Sequence, residues 1–138
     1  MILLLAPLIA IAVIGLAALL LRTQRSGQRE LVGSVVEPIA HRNRMPSVLY
    51  FTGEACTICH TAQRPALRTL AATLDPDIEI REVDIAVEPE LARRYRVMSL
   101  PTTIVLDADG QVTDINVGFA NGETLRRQLV EAGMPVAA

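Results

Sequence analysis

Residues 2–21 are apolar at every position except Pro7 and Gly15, and no charged side chain interrupts them. Twenty helical residues rise roughly 30 Å, the thickness of a bilayer's hydrocarbon core. The run predicts a membrane-spanning helix, with residues 1–22 as the anchor. Neither Lys nor Arg precedes it, and it ends in Leu19-Leu20-Leu21-Arg22. A cleaved signal would want a basic start and a small-residue cleavage site. Residues 23–46 turn polar and read as a solvated tether, although residues 31–36 have the strand-like content to pair with a domain edge.

From residue 47 onward short strands and helices alternate. Residues 48–51 (Val-Leu-Tyr-Phe) form a continuous apolar run that suits a strand buried on both faces. Ala62, Ala66, Leu70 and Leu74 recur at intervals of four, with Leu67 beside them, and predict a helix over residues 58–74. Pro65 should kink that helix, and Asp75-Pro76-Asp77 should end it. Residues 78–85 read as a second strand, residues 88–95 as a short helix with Pro89 in its first turn, and residues 102–106 as a third strand. Asp107-Ala108-Asp109-Gly110 is a turn answered by residues 111–117 as a hairpin partner. Asn121 is placed to cap a last helix carrying Leu125, Leu129 and Val130, closed by Gly133. The order β-α-β-α-β-β-α over residues 47–138 predicts one α/β domain, a three-layer sandwich. Its sheet is expected to be mostly parallel, with a final antiparallel hairpin strand.

Composition narrows the function. The 138 residues carry a net charge of −2, which excludes a strong nucleic-acid footprint. Two cysteines exclude a multi-disulfide scaffold and allow one disulfide, one redox pair, or half of a metal or haem site. Arg22, Arg25 and Arg29 directly follow the apolar run, so the positive-inside rule places the following domain in the cytoplasm. An extracytoplasmic domain is the alternative. No phosphate-binding glycine loop or Ser-His-Asp set is present.

The chemistry centres on Cys56-Thr57-Ile58-Cys59, just after the first strand and at the start of the first domain helix. Unpaired N–H groups and the helix dipole favour an anion there, so a thiol ionises more readily and its thiolate is the nucleophile. Cys56, nearest the terminus, is the expected attacker. Cys59, one turn in, is placed to resolve a mixed disulfide on Cys56.

With these residues in place, residues 47–133 resemble the thioredoxin superfamily. The resemblance rests on the strand at 48–51, the Cys-x-x-Cys, Pro65, the stretch Tyr95-Arg96-Val97-Met98-Ser99-Leu100-Pro101-Thr102, and Val117-Gly118 before the last helix. It implies a thioredoxin-like fold, here preceded by the transmembrane helix read from the apolar run, and a cis Leu100–Pro101 bond. The backbone there would offer strand-like hydrogen bonds to a bound peptide. It also implies disulfide- or dithiol-containing protein substrates, an upstream dithiol donor or acceptor, and no cofactor. The departures are specific. Ala55 stands for the usual tryptophan, Thr57-Ile58 for Gly-Pro, Tyr50 for a buried acid, and Pro65 lies one residue further on. Glu82 falls where the resemblance expects a lysine near that acid, and as a desolvated carboxylic acid it would relay the proton of Cys59; the alternative is a strand-end glutamate that turns to solvent or pairs with Arg81 or Arg93.

Three other readings compete. A catalytically idle thioredoxin-fold binding module would keep the disulfide as structure. Cys56-x-x-Cys59-His60 is also the c-type haem attachment pattern, which would take His60 and a methionine such as Met98 or Met134 as axial ligands. Zinc would need both cysteines with His60 and His41. Outside those readings His60 is an exposed helix histidine, its side chain pointing about 100° away from that of Cys59.

Overall fold

A computed structural model of the chain describes residues 2–36, 45–74 and 78–135. The expected stop at residues 75–77 and His41 lie outside them. Helix α1 (Ile2–Arg29) leads into strand β1 (Ser47–Thr52), a π-helical turn (Cys59–Gln63) and α2 (Arg64–Thr73). There follow β2 (Glu79–Asp84), α3 (Pro89–Arg94), β3 (Thr102–Leu106), β4 (Val112–Val117) and α4 (Gly122–Glu131).

The four strands lie in the order β2-β1-β3-β4. β1 pairs with β2 in parallel, with Val48 against Ile80 and Tyr50 against Glu82. β3 runs antiparallel to β1, and β4 antiparallel to β3. The expected mostly parallel sheet is therefore corrected to a mixed one. The reason is length. A six-residue helix such as α3 rises about 9 Å, whereas a six-residue strand spans about 20 Å. The link from β2 does not return the chain to the sheet's far end, so β3 starts beside Phe51, near the end where β1 and β2 finish.

Every residue of β1 is buried, because both faces are covered. Val48 and Tyr50 point into a core built from Leu67, Leu70, Leu125 and Leu129 of α2 and α4. Leu49 and Phe51 point the other way, into a core with Val83, Leu91, Tyr95 and Ile104. The Phe51 and Tyr95 rings meet with centroids 5.8 Å apart. Asn121 caps α4 by accepting from the Thr124 amide at 2.8 Å, and Gly133 ends it at a φ of 104°, which favours glycine.

The described part of the segment after residue 22 is held against the domain as far as Val35. α1 continues to Arg29. Its end is held by Gln28, which donates to the Arg96 carbonyl at 2.8 Å, and by Arg96, which donates to Glu30 at 2.9 Å. Leu31 is buried. The Gly33 amide donates to Val112 at 2.7 Å, the Val112 amide to Ser34 at 3.0 Å, and Val35 bridges Gln111. Along α1, Ile9, Ile11, Val13, Ile14, Leu16, Leu19 and Leu20 are exposed. Among the described residues no helix is long and apolar enough to cross a membrane, so the anchor expected over residues 2–21 is not shown.

Candidate functional site

From the end of β1 the chain reaches Cys56 through Gly53, Glu54 and Ala55. The Cys56 amide donates to the Gly53 carbonyl at 3.0 Å. A side chain at Gly53 would meet Leu100 Cδ1 at 3.1 Å, so glycine lets Leu100 lie against the loop that presents Cys56. The Leu100–Pro101 bond is cis. On its far side the Gly118 amide donates to the Pro101 carbonyl at 2.8 Å. Cys56 and Leu100 also pack against one core cluster, which contains Cys59, Tyr50 and Ala120.

Cys56 and Cys59 form a disulfide with Cα atoms 5.3 Å apart. The two halves differ in setting. Cys59 is fully buried, whereas Cys56 is half-buried at the edge of the core. The Cys59 amide donates to Cys56 Sγ at 3.2 Å. A donor aimed at that sulfur favours its thiolate once the disulfide opens. The disulfide occupies both sulfurs that haem attachment or zinc would need. Among the described residues no group of three or more His, Cys, Asp or Glu could hold a metal ion.

The helix after Cys59, expected to be kinked by Pro65, instead changes winding just before that proline. Its first turn is π-helical, with the Arg64 amide donating to the Cys59 carbonyl five residues back, and Pro65 sits in the first turn of α2. One extra residue in a regular helix would rotate everything beyond it by about 100°. A wider turn absorbs it instead. This agrees with Pro65 lying one residue later than in the thioredoxins. The buried positions are consequently Cys59, Gln63, Leu67, Leu70 and Leu74, while Ala62 and Ala66 are only half-buried.

Two buried polar side chains have partners at or beside this turn that the sequence reading did not find. Tyr50 donates its hydroxyl to the Cys59 carbonyl at 2.9 Å, and Thr52 Oγ1 lies 3.3 Å from the same hydroxyl. Burial pushes the Tyr50 phenol above its ordinary pKa, with Thr52 and Arg64 pulling the other way. The position that the resemblance assigns to a buried acid thus holds an uncharged donor. Gln63, also fully buried, exchanges two hydrogen bonds with the Ala120 backbone. A polar residue in phase with Cys59, Leu67, Leu70 and Leu74 was the available signal for Gln63.

Glu82 lies on the α2 side of β2 and pairs with Arg64. Its side chain is 45% exposed, so the desolvated carboxyl expected of a relay is not found. The Glu82 hydrogen bond raises the Arg64 pKa. Arg64 also reaches His60 Nδ1 at 2.9 Å, and His60 Nε2 lies 3.0 Å from the Glu54 carbonyl. A guanidinium only donates and a carbonyl only accepts, so His60 carries its proton on Nε2. His60 is half-buried rather than exposed, and it ties the loop before Cys56 to α2.

The comparisons agree with this geometry. A family model described as thioredoxin matches residues 35–131. Thioredoxin from Staphylococcus aureus is 42% identical over 65 residues, which are 47% of this chain and 62% of that protein. The chain thus spans less than two thirds of the length of such relatives. Thioredoxin-2, a component of malaria parasite protein secretion machinery, superposes with a TM-score of 0.58 at 28% identity, over 63% of this chain and 82% of that one. Mitochondrial thioredoxin 3 from Saccharomyces cerevisiae superposes with a TM-score of 0.54 at 26% identity, over 62% and 77%. The family model covers more than half of the chain, and the chain belongs to the thioredoxin family.

Proposed function

We propose that the chain is a membrane-tethered thiol–disulfide oxidoreductase acting on protein disulfides. The observation that carries the reading is the asymmetry of the pair, a half-buried Cys56 beside a fully buried Cys59. The Cys56 thiolate attacks a substrate sulfur. The substrate S–S bond breaks, a mixed disulfide forms on Cys56, and one substrate thiolate leaves. The Cys59 thiolate then attacks Cys56 Sγ and releases the second substrate thiolate. Two electrons pass to the substrate, and the pair ends as the disulfide. A dithiol protein upstream returns it to the reduced form. Leu100 and Pro101 form the edge along which the substrate peptide lies.

The membrane tether rests on the apolar run 2–21, on the continuity of α1 and on its exposed apolar side chains. Arg22, Arg25 and Arg29 directly after the apolar run favour a cytoplasmic domain by the positive-inside rule, an extracytoplasmic domain being the alternative. Alkaline carbonate extraction of membranes tests the tether, and protease protection of sealed vesicles tests the side.

The activity is tested by reduction of insulin disulfides with a chemical dithiol as electron source, and by the reduction potential of the pair in defined thiol buffers. A potential near about −270 mV gives a reductant and one near about −120 mV a disulfide donor. A pair with no reversible couple in that range would make the disulfide structural and the chain an idle binding module.

A further inference from the structure

Gln63 has a role that the cysteine chemistry does not use. It is an uncharged amide with no exposed surface. Its Nε2 donates to the Ala120 carbonyl at 3.0 Å, and the Ala120 amide donates to its Oε1 at 2.8 Å. Both polar ends of the side chain are thereby spent on one backbone unit, 57 residues away. Core packing alone would be served by an apolar residue here, as at Leu67 and Leu70.

What these bonds hold is the segment between β4 and α4. That segment has two anchors. At one end the Gly118 amide is bonded to Pro101; at the other Ala120 is bonded to Gln63. Between them stands Phe119, 52% exposed. Ile58, on the cysteine loop, and Met98, before Pro101, are also largely exposed. An exposed aromatic ring between two fixed backbone anchors is a prepared contact for an apolar side chain of a peptide.

We propose that Gln63 is a positioning residue for substrate recognition: through Ala120 it fixes Phe119 as a wall of the peptide site beside Pro101. The π-helical turn is what brings Gln63 to Ala120, so the extra residue before Pro65 couples the cysteine turn to this wall. The inference rests on the proposed exchange reaction and names a recognition element within it. Protein disulfides should depend on Gln63 and Phe119, whereas small aromatic disulfides, which reach Cys56 without a flanking peptide, should not.

The experiment compares the full chain with Gln63→Met, Phe119→Ala and the double variant. Each is assayed on insulin and on a small aromatic disulfide. Both single variants should lose about tenfold in kcat/KM on insulin, mainly through KM, and stay within about twofold of the parent on the small disulfide. The double variant should lose no more than the larger single loss, because both changes remove one contact. Equal losses on both substrates, fully additive losses, or no loss would overturn the inference. Should Gln63→Met fail to fold, amide exchange in the unmodified chain decides. The Ala120 amide should exchange at least about a hundredfold more slowly than that of Phe119, and similar rates would overturn the clamp. A parent chain inactive on both substrates would instead overturn the exchange reading, and this inference with it.

Discussion

The Tyr50 hydroxyl donates to the carbonyl of Cys59 at 2.9 Å. The same carbonyl accepts the Arg64 amide, so the backbone of the buried cysteine is tied to β1 and to α2 at once. Removing one donor leaves the other. Tyr50→Phe should therefore cost only about 1 kcal/mol, read as a lower urea midpoint, with the fold retained. A loss of several kcal/mol would mean that the hydroxyl supports more than this one bond.

The same residue predicts a dependence on pH. Burial raises the Tyr50 pKa above its ordinary 10.0, so the native state holds this proton more tightly than the unfolded chain does. The associated stability is fully present below the unfolded value and is lost as pH rises through the folded one. In paired urea titrations the difference between the unmodified chain and Tyr50→Phe should stay level from about pH 7 to 9 and shrink above about pH 10. A difference that grows with alkalinity would reverse the assignment.

The cysteines should not be equivalent. Cys56→Ser should abolish exchange with insulin. Cys59→Ser should retain the attack and accumulate a mixed disulfide on Cys56, visible by mass spectrometry under non-reducing conditions. Accumulation on Cys59 in the Cys56→Ser chain would reverse the roles, against the burial of Cys59.

Glu82 offers a direct check of the relay expectation. Half-exposed and paired with Arg64, it has solvent and a guanidinium for partners. Glu82→Gln should leave the exchange rate within about twofold, as for other exposed ion pairs. A tenfold slowing would restore the relay and require the pair with Arg64 to open during turnover.

Leu31 is buried beside a short stretch paired with the β4 side of the domain. Leu31→Ala should destabilise the domain by about 2 kcal/mol, near the low end for a buried leucine. A fragment starting at residue 37 should be weaker than one starting at residue 29, by thermal or urea unfolding. Equal stabilities would show that the segment adds nothing.

Much of the fold was legible in order and type. Val48 to Phe51 and the strand at 102–106 stand out because both faces of each strand are covered, so the first reads as an unbroken apolar run and the second as β-branched threonines running into Ile104, Val105 and Leu106. Asn121, Gly110 and Gly133 act locally, through a cap and two positive-φ positions, and local rules locate them. The direction of β3 was not legible. It depends on where a short connection leaves the chain relative to β1, and no periodicity records that.

The candidate site divides in the same way. Residue spacing alone determined that two cysteines share one turn after a buried strand, with the first nearer the surface. That follows from helix geometry within four residues. Only the tertiary structure decided that Glu82 meets Arg64, that Tyr50 reaches the Cys59 carbonyl and that Gln63 grips Ala120. Those contacts join distant segments, and two of the side chains concerned, Gln63 and Arg64, lie at the end of the wider helical turn. Sequence patterns report whether a position is apolar. Which buried polar group finds which partner is settled by the requirement that both be satisfied once water is excluded.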